Sequence, residues 1–255
     1  MTAHVYEAPL LAHARGLALD AGAPLPESVE AGVAWLDAQG RGRDLGKFAR
    51  RTPLPRVVQA IEALRALAPA TLLDVGPGRY GALWPLWEAL ATTTFTVADP
   101  PKGEFPGRAP ELLRMKRGGL ARLDDARAVP AEDLAGWEGD TFDGVTALEV
   151  LEHVDDPFAA AREFLRVARR AVVLSVPCQP DSNPDHVRLF THPSVPVSAA
   201  RCGTRPTVPL DAPWHAAAAA LGVAIELDVR TAPATAGPHA TPRHFVAVVT
   251  KRPVR

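Results

Sequence analysis

Two stretches carry residue types whose spacing could do chemistry. The run Glu149-Val150-Leu151-Glu152-His153 offers two carboxylates and an imidazole, and His186 supplies a second imidazole downstream. Mixed oxygen and nitrogen donors suit Mn²⁺, Fe²⁺, Co²⁺ or Zn²⁺, and Mg²⁺ where water completes the shell. A divalent cation held by Glu149, Glu152, His153 and His186 could chelate vicinal hydroxyls and lower the pKa of one of them. Without a metal, His153 and His186 serve as general base or substrate contact, or the run simply closes a turn. The second stretch is Asp74-Val75-Gly76-Pro77-Gly78-Arg79-Tyr80-Gly81. Its glycines have the G-x-G-x-x-G spacing of a tight turn whose backbone approaches a nucleotide cofactor. A carboxylate at Asp74 would repel a pyrophosphate but suits a cation such as the ammonium of an amino-acid moiety.

These residues need a parallel sheet to bring them to one edge. Leu72, Leu73 and Val75 read as a short buried strand, and Leu83, Leu86 and Leu90 recur at helical spacing after the glycines. Phe95–Ala98 reads as a second strand ending at Asp99-Pro100. An acidic residue there, about 20 positions past the turn, can accept from both ribose hydroxyls. A short third strand around Leu120–Leu123 runs into Asp124-Asp125-Ala126, where an Asp is also ordinary turn chemistry. Val145, Ala147 and Leu148 give a fourth strand, Asp156-Pro157 starts a helix over Phe158–Arg169, and Ala171–Val176 is a fifth strand ending at Pro177.

Residues 1–53 read as a helical extension, with helices at Ala8–Leu19 and Glu27–Gln39 that could cap the site. Pro53 and Pro55 introduce a helix at Val57–Leu67, expected on the sheet edge before the glycine turn. Residues 54–255 form the second unit, with a further short helix at Pro110–Met115. The Pro- and Ser-rich connection 178–210, with Asp185–Thr191 as its least loop-like part, reads as a substrate-facing lid. A helix at Asp211–Leu221 and strands at Ala224–Val229 and His244–Thr250 close the chain.

At 47% hydrophobic residues and net charge −1, the 255-residue chain can bury a large core and has no overall drive toward nucleic acid or anionic membrane. The local cluster Arg41, Arg43, Lys47, Arg50 and Arg51 is either a solvated loop or a surface for an anionic substrate. Cys178 and Cys202 have neither metal nor disulfide spacing and read as free thiols. No apolar run reaches the roughly 18 residues of a membrane span, and charges interrupt the N-terminus, so a cytoplasmic location is expected. His192, His215, His239 and His244 read as surface or internally satisfied histidines.

Asp74–Gly81, with an acidic residue leading into G-x-G, resembles the cofactor loop of class I S-adenosylmethionine-dependent methyltransferases. Leu148-Glu149-Val150-Leu151-Glu152-His153-Val154-Asp155-Asp156-Pro157 resembles their fourth-strand motif, and Asp125-Ala126 resembles the pair at the end of their third strand. The resemblance implies an α/β, Rossmann-like fold: a seven-stranded, mostly parallel sheet in the order 3-2-1-4-5-7-6 with helices on both faces. It implies S-adenosylmethionine as cofactor, bound by Asp74, Gly76, Pro77, Gly78, Tyr80, Asp99, Pro100, Asp125, Ala126, Leu148 and Glu149, with the Asp125 carboxylate (or that of Asp124) accepting from the adenine amino group.

Glu149, Glu152, His153 and His186 together are similar to the ubiquinone-biosynthesis O-methyltransferases and the small-RNA 3′-terminal ribose 2′-O-methyltransferases, which pair Glu-x-x-Glu-His with a later His. Metal-free relatives share the Leu-Glu-His-Val phrase. The expected function is methyl transfer to the oxygen of a small molecule, with His153 and His186 catalytic. RNA-terminal methylation, an oxidoreductase using NAD through the same loop, and an inactive cofactor-binding module are the alternatives. Asp74 and the closing antiparallel pair argue against NAD.

Overall fold

Leu72 and Leu73 are neighbours on one strand, point to opposite faces and are both fully buried. A sheet carrying such a strand must be covered on both sides. The computed structural model describes residues 5–101, 107–179, 183–193, 205–233 and 242–252. Strand β1 (Thr71–Val75) runs parallel between β2 (Thr94–Ala98) and β4 (Phe142–Leu148). β3 (Leu123–Arg127) lies outside β2, and β5 (Ala168–Pro177) pairs with β4, both parallel. β9 (Pro242–Arg252) and β8 (Ala224–Pro233) complete the sheet antiparallel, giving the order β3-β2-β1-β4-β5-β9-β8. Counted within this sheet alone, that is the expected order 3-2-1-4-5-7-6.

Helices α6 (Pro157–Val167) and α7 (Ala212–Leu221) cover one face, burying Phe164 and Trp214 with Leu73, Val145 and Val172. Helices α3 (Pro55–Leu67), α4 (Leu83–Ala89) and α5 (Ala109–Arg117) cover the other, burying Leu64, Trp84 and Leu112 with Leu72, Phe95 and Val97. Each fully buried leucine contributes roughly 2 kcal/mol by removal from water. The start of α6 is as the sequence indicates. The Asp156 carboxylate accepts from the N–H groups of Phe158 and Ala159, and Pro157 takes the first helical position.

The N-terminal extension contains α1 (Glu7–Asp20), α2 (Val29–Ala38, capped by Ser28) and a 3₁₀ turn at Gly42–Lys47. It shares a core with the sheet's covering helices, since Tyr6, Leu10 and Phe48 pack in the same cluster as Trp84 and Met115. α1 crosses α5 so closely that a Cβ at Gly118 would overlap the Ala12 carbonyl oxygen. Glycine is required there by backbone approach. Buried His13 sits under this contact, 3.3 Å from Asp44 and 3.4 Å from Glu111.

Two expected element boundaries are corrected. The third strand is Leu123–Arg127, so Asp125 and Ala126 lie inside it rather than beyond its end. Only Leu123 and Ala126 of its five residues are buried, which hides it from a search for a continuous apolar run. Helix α3 covers β5 and β9 and reaches the edge strand β8, where Gln59 donates to the Thr231 carbonyl. α6 ends at Val167 and passes directly into β5, which places Arg169 in the strand. Within the expected lid, Leu189–Thr191 (β6) pairs in parallel with Thr207–Pro209 (β7), and Leu189, Phe190 and Leu210 are buried. The remainder of that lid, at 180–182 and 194–204, together with Cys202 and His239, lies outside the described residues. Cys178 is a buried free thiol.

Candidate active site at the carboxyl edge of the sheet

A cavity of about 240 Å³ opens at the carboxyl ends of β1 and β4, lined among others by Asp74, Gly76, Pro77, Gly78, Leu148 and Glu149. Its shape begins with the glycine turn. Gly76 has φ +65°, and its N–H donates to the Ala98 carbonyl at 2.8 Å, continuing the β1–β2 ladder by one rung. A Cβ there would press on Val150 at 2.9 Å, so Gly76 answers to packing as well as conformation. Gly78, at φ +55°, is different, because nothing among the described residues lies within 4 Å of where its Cβ would be. That open space faces the cavity side of a left-handed turn, where a ligand can meet bare backbone.

Asp74 is fully enclosed. Its Oδ1 accepts from the Thr146 hydroxyl at 2.6 Å, and its Oδ2 has no hydrogen-bond partner among the described residues. Burial pushes its pKa up to about 7, the Thr146 hydrogen bond opposing and the Asp99 charge adding. A carboxylate oxygen left unpaired in such a place is costly unless a donor arrives. A cationic amine entering the cavity is such a donor.

Glu149 stands at φ +61°, a conformation that costs a non-glycine residue about 1 kcal/mol or more. Its surroundings fix it there. The Ser175 hydroxyl donates to Oε1 at 2.8 Å, His244 Nε2 lies 3.2 Å from Oε2, and Arg56 Nε lies 3.6 Å from Oε1. Burial works against its charge, but the His244 hydrogen bond and the Arg56 charge prevail, with Ser175 helping. They hold the carboxyl below the usual glutamate range.

Arg108 ties the turn to its surroundings. Its Nε donates to the Gly78 carbonyl at 2.8 Å, its backbone N–H donates to Asp99 Oδ2 at 2.7 Å, and its guanidinium lies over the Tyr80 ring. Burial raises the pKa of Asp99, with Arg108 opposing. Tyr80 is itself buried, and its hydroxyl donates to Glu111. Asp125 engages both oxygens locally, one with its neighbour's N–H and the other with Arg127.

The second constellation lies in the turns after β4 and before β6. Glu152, His153 and His186 present ligand atoms all within 4.8 Å of one another. Glu152 is fully buried, His186 Nε2 lies 4.0 Å from its Oε1, and the two imidazoles stand edge to face at 4.7 Å. The backbone fixes this arrangement: Val187 N–H donates to the Glu152 carbonyl, and Arg188 reaches the carbonyls of Leu151, Val154 and Asp155. The His153 ring nitrogen Nδ1 lies 3.0 Å from the Asp185 carbonyl.

A family model described as a methyltransferase domain matches residues 47–211, covering β1 to β7 and the whole glycine turn. The chain belongs to this methyltransferase family. With the sheet order above it is a class I, S-adenosylmethionine-dependent methyltransferase. It is 36% identical over 115 residues to a ubiquinone biosynthesis O-methyltransferase of Pseudomonas syringae pv. tomato, a match covering 45% of this chain and 47% of that one. The match thus spans about half the length of the curated relative. Among solved structures, the YcgJ protein of Bacillus subtilis superposes with a TM-score of 0.51 at 16% identity, covering 78% of this chain and 99% of that one. The methyltransferase domain of bacterial CtHen1-C superposes with a TM-score of 0.50 at 18% identity, covering 77% and 96%. Both share the fold.

The methyltransferase therefore gathers the predicted residues into two groups. Asp74, Gly76, Pro77, Gly78, Leu148 and Glu149 line the cavity, whereas Tyr80, Asp99, Pro100, Asp125 and Ala126 do not. The expected four-residue metal set divides: Glu152, His153 and His186 come together, and Glu149 turns to Arg56, Ser175 and His244 instead. The positive φ of Glu149 separates the two carboxylates of Glu-x-x-Glu. Sequence reasoning passed over Arg56, Arg108 and Thr146, and read His244 as satisfied without seeing that Glu149 satisfies it. Only Thr146 carried a usable signal, because a hydroxyl in an otherwise apolar buried strand needs a partner.

Proposed function

We propose that this methyltransferase moves a methyl group from S-adenosylmethionine to an oxygen of a small molecule. The observation that carries the reading is the gathering of Glu152, His153 and His186, which supplies proton-accepting groups on the same edge as the glycine turn. Likeness to the ubiquinone biosynthesis O-methyltransferases over the matched 115 residues supports oxygen as the acceptor atom.

In this reading the cofactor's ammonium takes the unpaired Oδ2 of Asp74, and its ribose hydroxyls reach the carboxylate of Asp99. Transfer from a sulfonium is an in-line displacement, so the protein's work is to align the acceptor oxygen with the methyl carbon and take up the hydroxyl proton. His153 and His186 do the latter. The donor set of Glu152, His153 and His186 also fits a divalent cation such as Mn²⁺ or Mg²⁺, which when bound would make a coordinated hydroxyl more acidic. The segment up to Pro53 acts as a cap over the acceptor, and the connection after Pro177 as its lid.

The test is calorimetric titration of S-adenosylhomocysteine, followed by Mn²⁺ and Mg²⁺ into the saturated protein and its Glu152→Ala variant. Absence of S-adenosylhomocysteine binding would sink the cofactor assignment. Metal binding abolished by Glu152→Ala identifies a chelating O-methyltransferase. Absence of metal binding leaves the histidines as the proton acceptors, and a bell-shaped pH–rate profile lost in His153→Ala is then expected.

A further inference from the structure

Beside the glycine-turn cavity lies a larger one of about 600 Å³, and the two share Leu54, Arg79 and Gly81 as walls. Arg43, Lys47, Arg51, Arg79 and Arg108 line the larger cavity, and no carboxylate among the described residues does. Two of these cations are already answered. Lys47 pairs with Glu111 at 2.6 Å and with Asp44 at 3.3 Å, and Arg108 faces Glu111 at 3.4 Å. Arg43, Arg51 and Arg79 make no ion pair among the described residues. The neighbouring carboxylates are otherwise engaged: Glu88 with Arg50, and Asp44 with Arg41 as well as Lys47. Apart from Thr52, the remaining walls are apolar or aromatic, including Leu54, Trp84 and Pro85.

A concave space with apolar walls and several unpaired guanidinium groups fits a small anion with a hydrophobic body. The chain's net charge of −1 makes the concentration of positive charge here local to the cavity. The cofactor brings one carboxylate, and Arg56 and Arg79 both line the cavity where it would lie. That leaves Arg43 and Arg51, which line only the second cavity. Resting on the methyltransferase reading above, we infer that Arg43 and Arg51 hold the carboxylate of an anionic small-molecule acceptor, whose hydroxyl end reaches past Leu54 and Gly81 toward the methyl group. Arg43 sits on the 3₁₀ turn and Arg51 on the loop before α3, so the N-terminal extension selects the substrate by charge.

The experiment compares 3,4-dihydroxybenzoate with catechol, which carries the same hydroxyls and no carboxylate. Each is titrated calorimetrically at low salt into the S-adenosylhomocysteine-saturated protein, its R43A/R51A variant and its R43K/R51K variant. The acid is expected to bind about tenfold more tightly than catechol to the native chain. R43A/R51A should erase that preference with S-adenosylhomocysteine affinity unchanged, and R43K/R51K should retain part of it, because lysine keeps the charge without the planar fork. Inorganic phosphate should compete weakly; phosphate displacing the acid at equal or lower concentration would overturn the carboxylate assignment in favour of a phosphate ester. Equal binding of the two probes, binding of neither up to the solubility limit, or a preference that survives R43A/R51A would each overturn the inference. So would an oligoribonucleotide that binds more tightly than the acid with steep salt dependence. Failure of S-adenosylhomocysteine to bind the native chain would instead strike at the cofactor reading, which keeps the two failures apart.

Discussion

The two cavities on the carboxyl edge share walls yet differ in charge: the smaller mixes carboxylates and arginines, and the larger is lined by cations with no carboxylate among the described residues. In the smaller one, two carboxylates stand beside Arg56 and Arg79: Asp74 is enclosed with one oxygen unpaired among the described residues, and Glu149 is clamped by three partners. In the larger one, cations arrive from a 3₁₀ turn, a loop, the glycine turn and the segment before α5, and Arg43, Arg51 and Arg79 make no ion pair among the described residues. The glycine turn and the ends of β1 and β4 shape the first cavity, whereas the second is completed only when the N-terminal extension docks against the same turn. Each can therefore be perturbed alone.

The largest effect is expected where the extension is anchored. Gly118→Ala would force a Cβ into the Ala12 carbonyl and push α1 off α5, costing about 3 kcal/mol in a denaturant titration. The same variant should lose any ligand of the larger cavity while still binding S-adenosylhomocysteine. Loss of both together would show that the cavities are not separable in this way.

Next in size is Asp74→Asn. It should weaken S-adenosylhomocysteine binding about thirtyfold at pH 8 by removing the charge that meets the ammonium. The pH dependence sharpens this. Because the pKa of Asp74 is raised to about 7, the native protein binds more protons than the unfolded chain between roughly pH 4 and 7. The stability attributable to Asp74 is present at low pH and declines as pH rises through 7. Asp74→Asn should accordingly be the more thermostable protein at pH 8 and lose that advantage toward pH 5. Cofactor affinity in the native protein should run the other way, rising from pH 6 to 8 as the carboxyl ionises. A flat affinity over that range would contradict the assignment of Asp74.

The smallest effect is at the clamp of Glu149. Ser175→Ala removes one hydrogen bond to a buried carboxylate and should cost about 1 kcal/mol of stability. It should also raise the pKa of Glu149, visible by carboxyl NMR titration. The larger cavity should be untouched.

Much of the first cavity was legible because its residues are close in sequence and their spacing reflects local backbone geometry. The strand, the glycines and Asp74 form one continuous phrase, and Asp156-Pro157 announces the helix that follows β4. The third strand was misplaced because, at the sheet edge, only Leu123 and Ala126 of its five residues are buried and no continuous apolar run marks it. The split of Glu149 from Glu152 was not legible either, since a left-handed backbone at a glutamate leaves no compositional trace.

The sequence alone established the strands, the helices and the acidic glycine turn of an α/β sheet, and the resemblance of that turn to class I methyltransferases implied the strand order. The strands and helices follow from periodicity, and the turn from conformations only glycine adopts easily. Tertiary structure alone decided that His186 meets Glu152 from beyond β5, that His244 and Arg56 clamp Glu149, and that Arg43, Arg51 and Arg79 face one cavity. Such contacts join residues distant along the chain, and nothing in local spacing encodes which exposed arginine will find a partner and which will be left for a ligand.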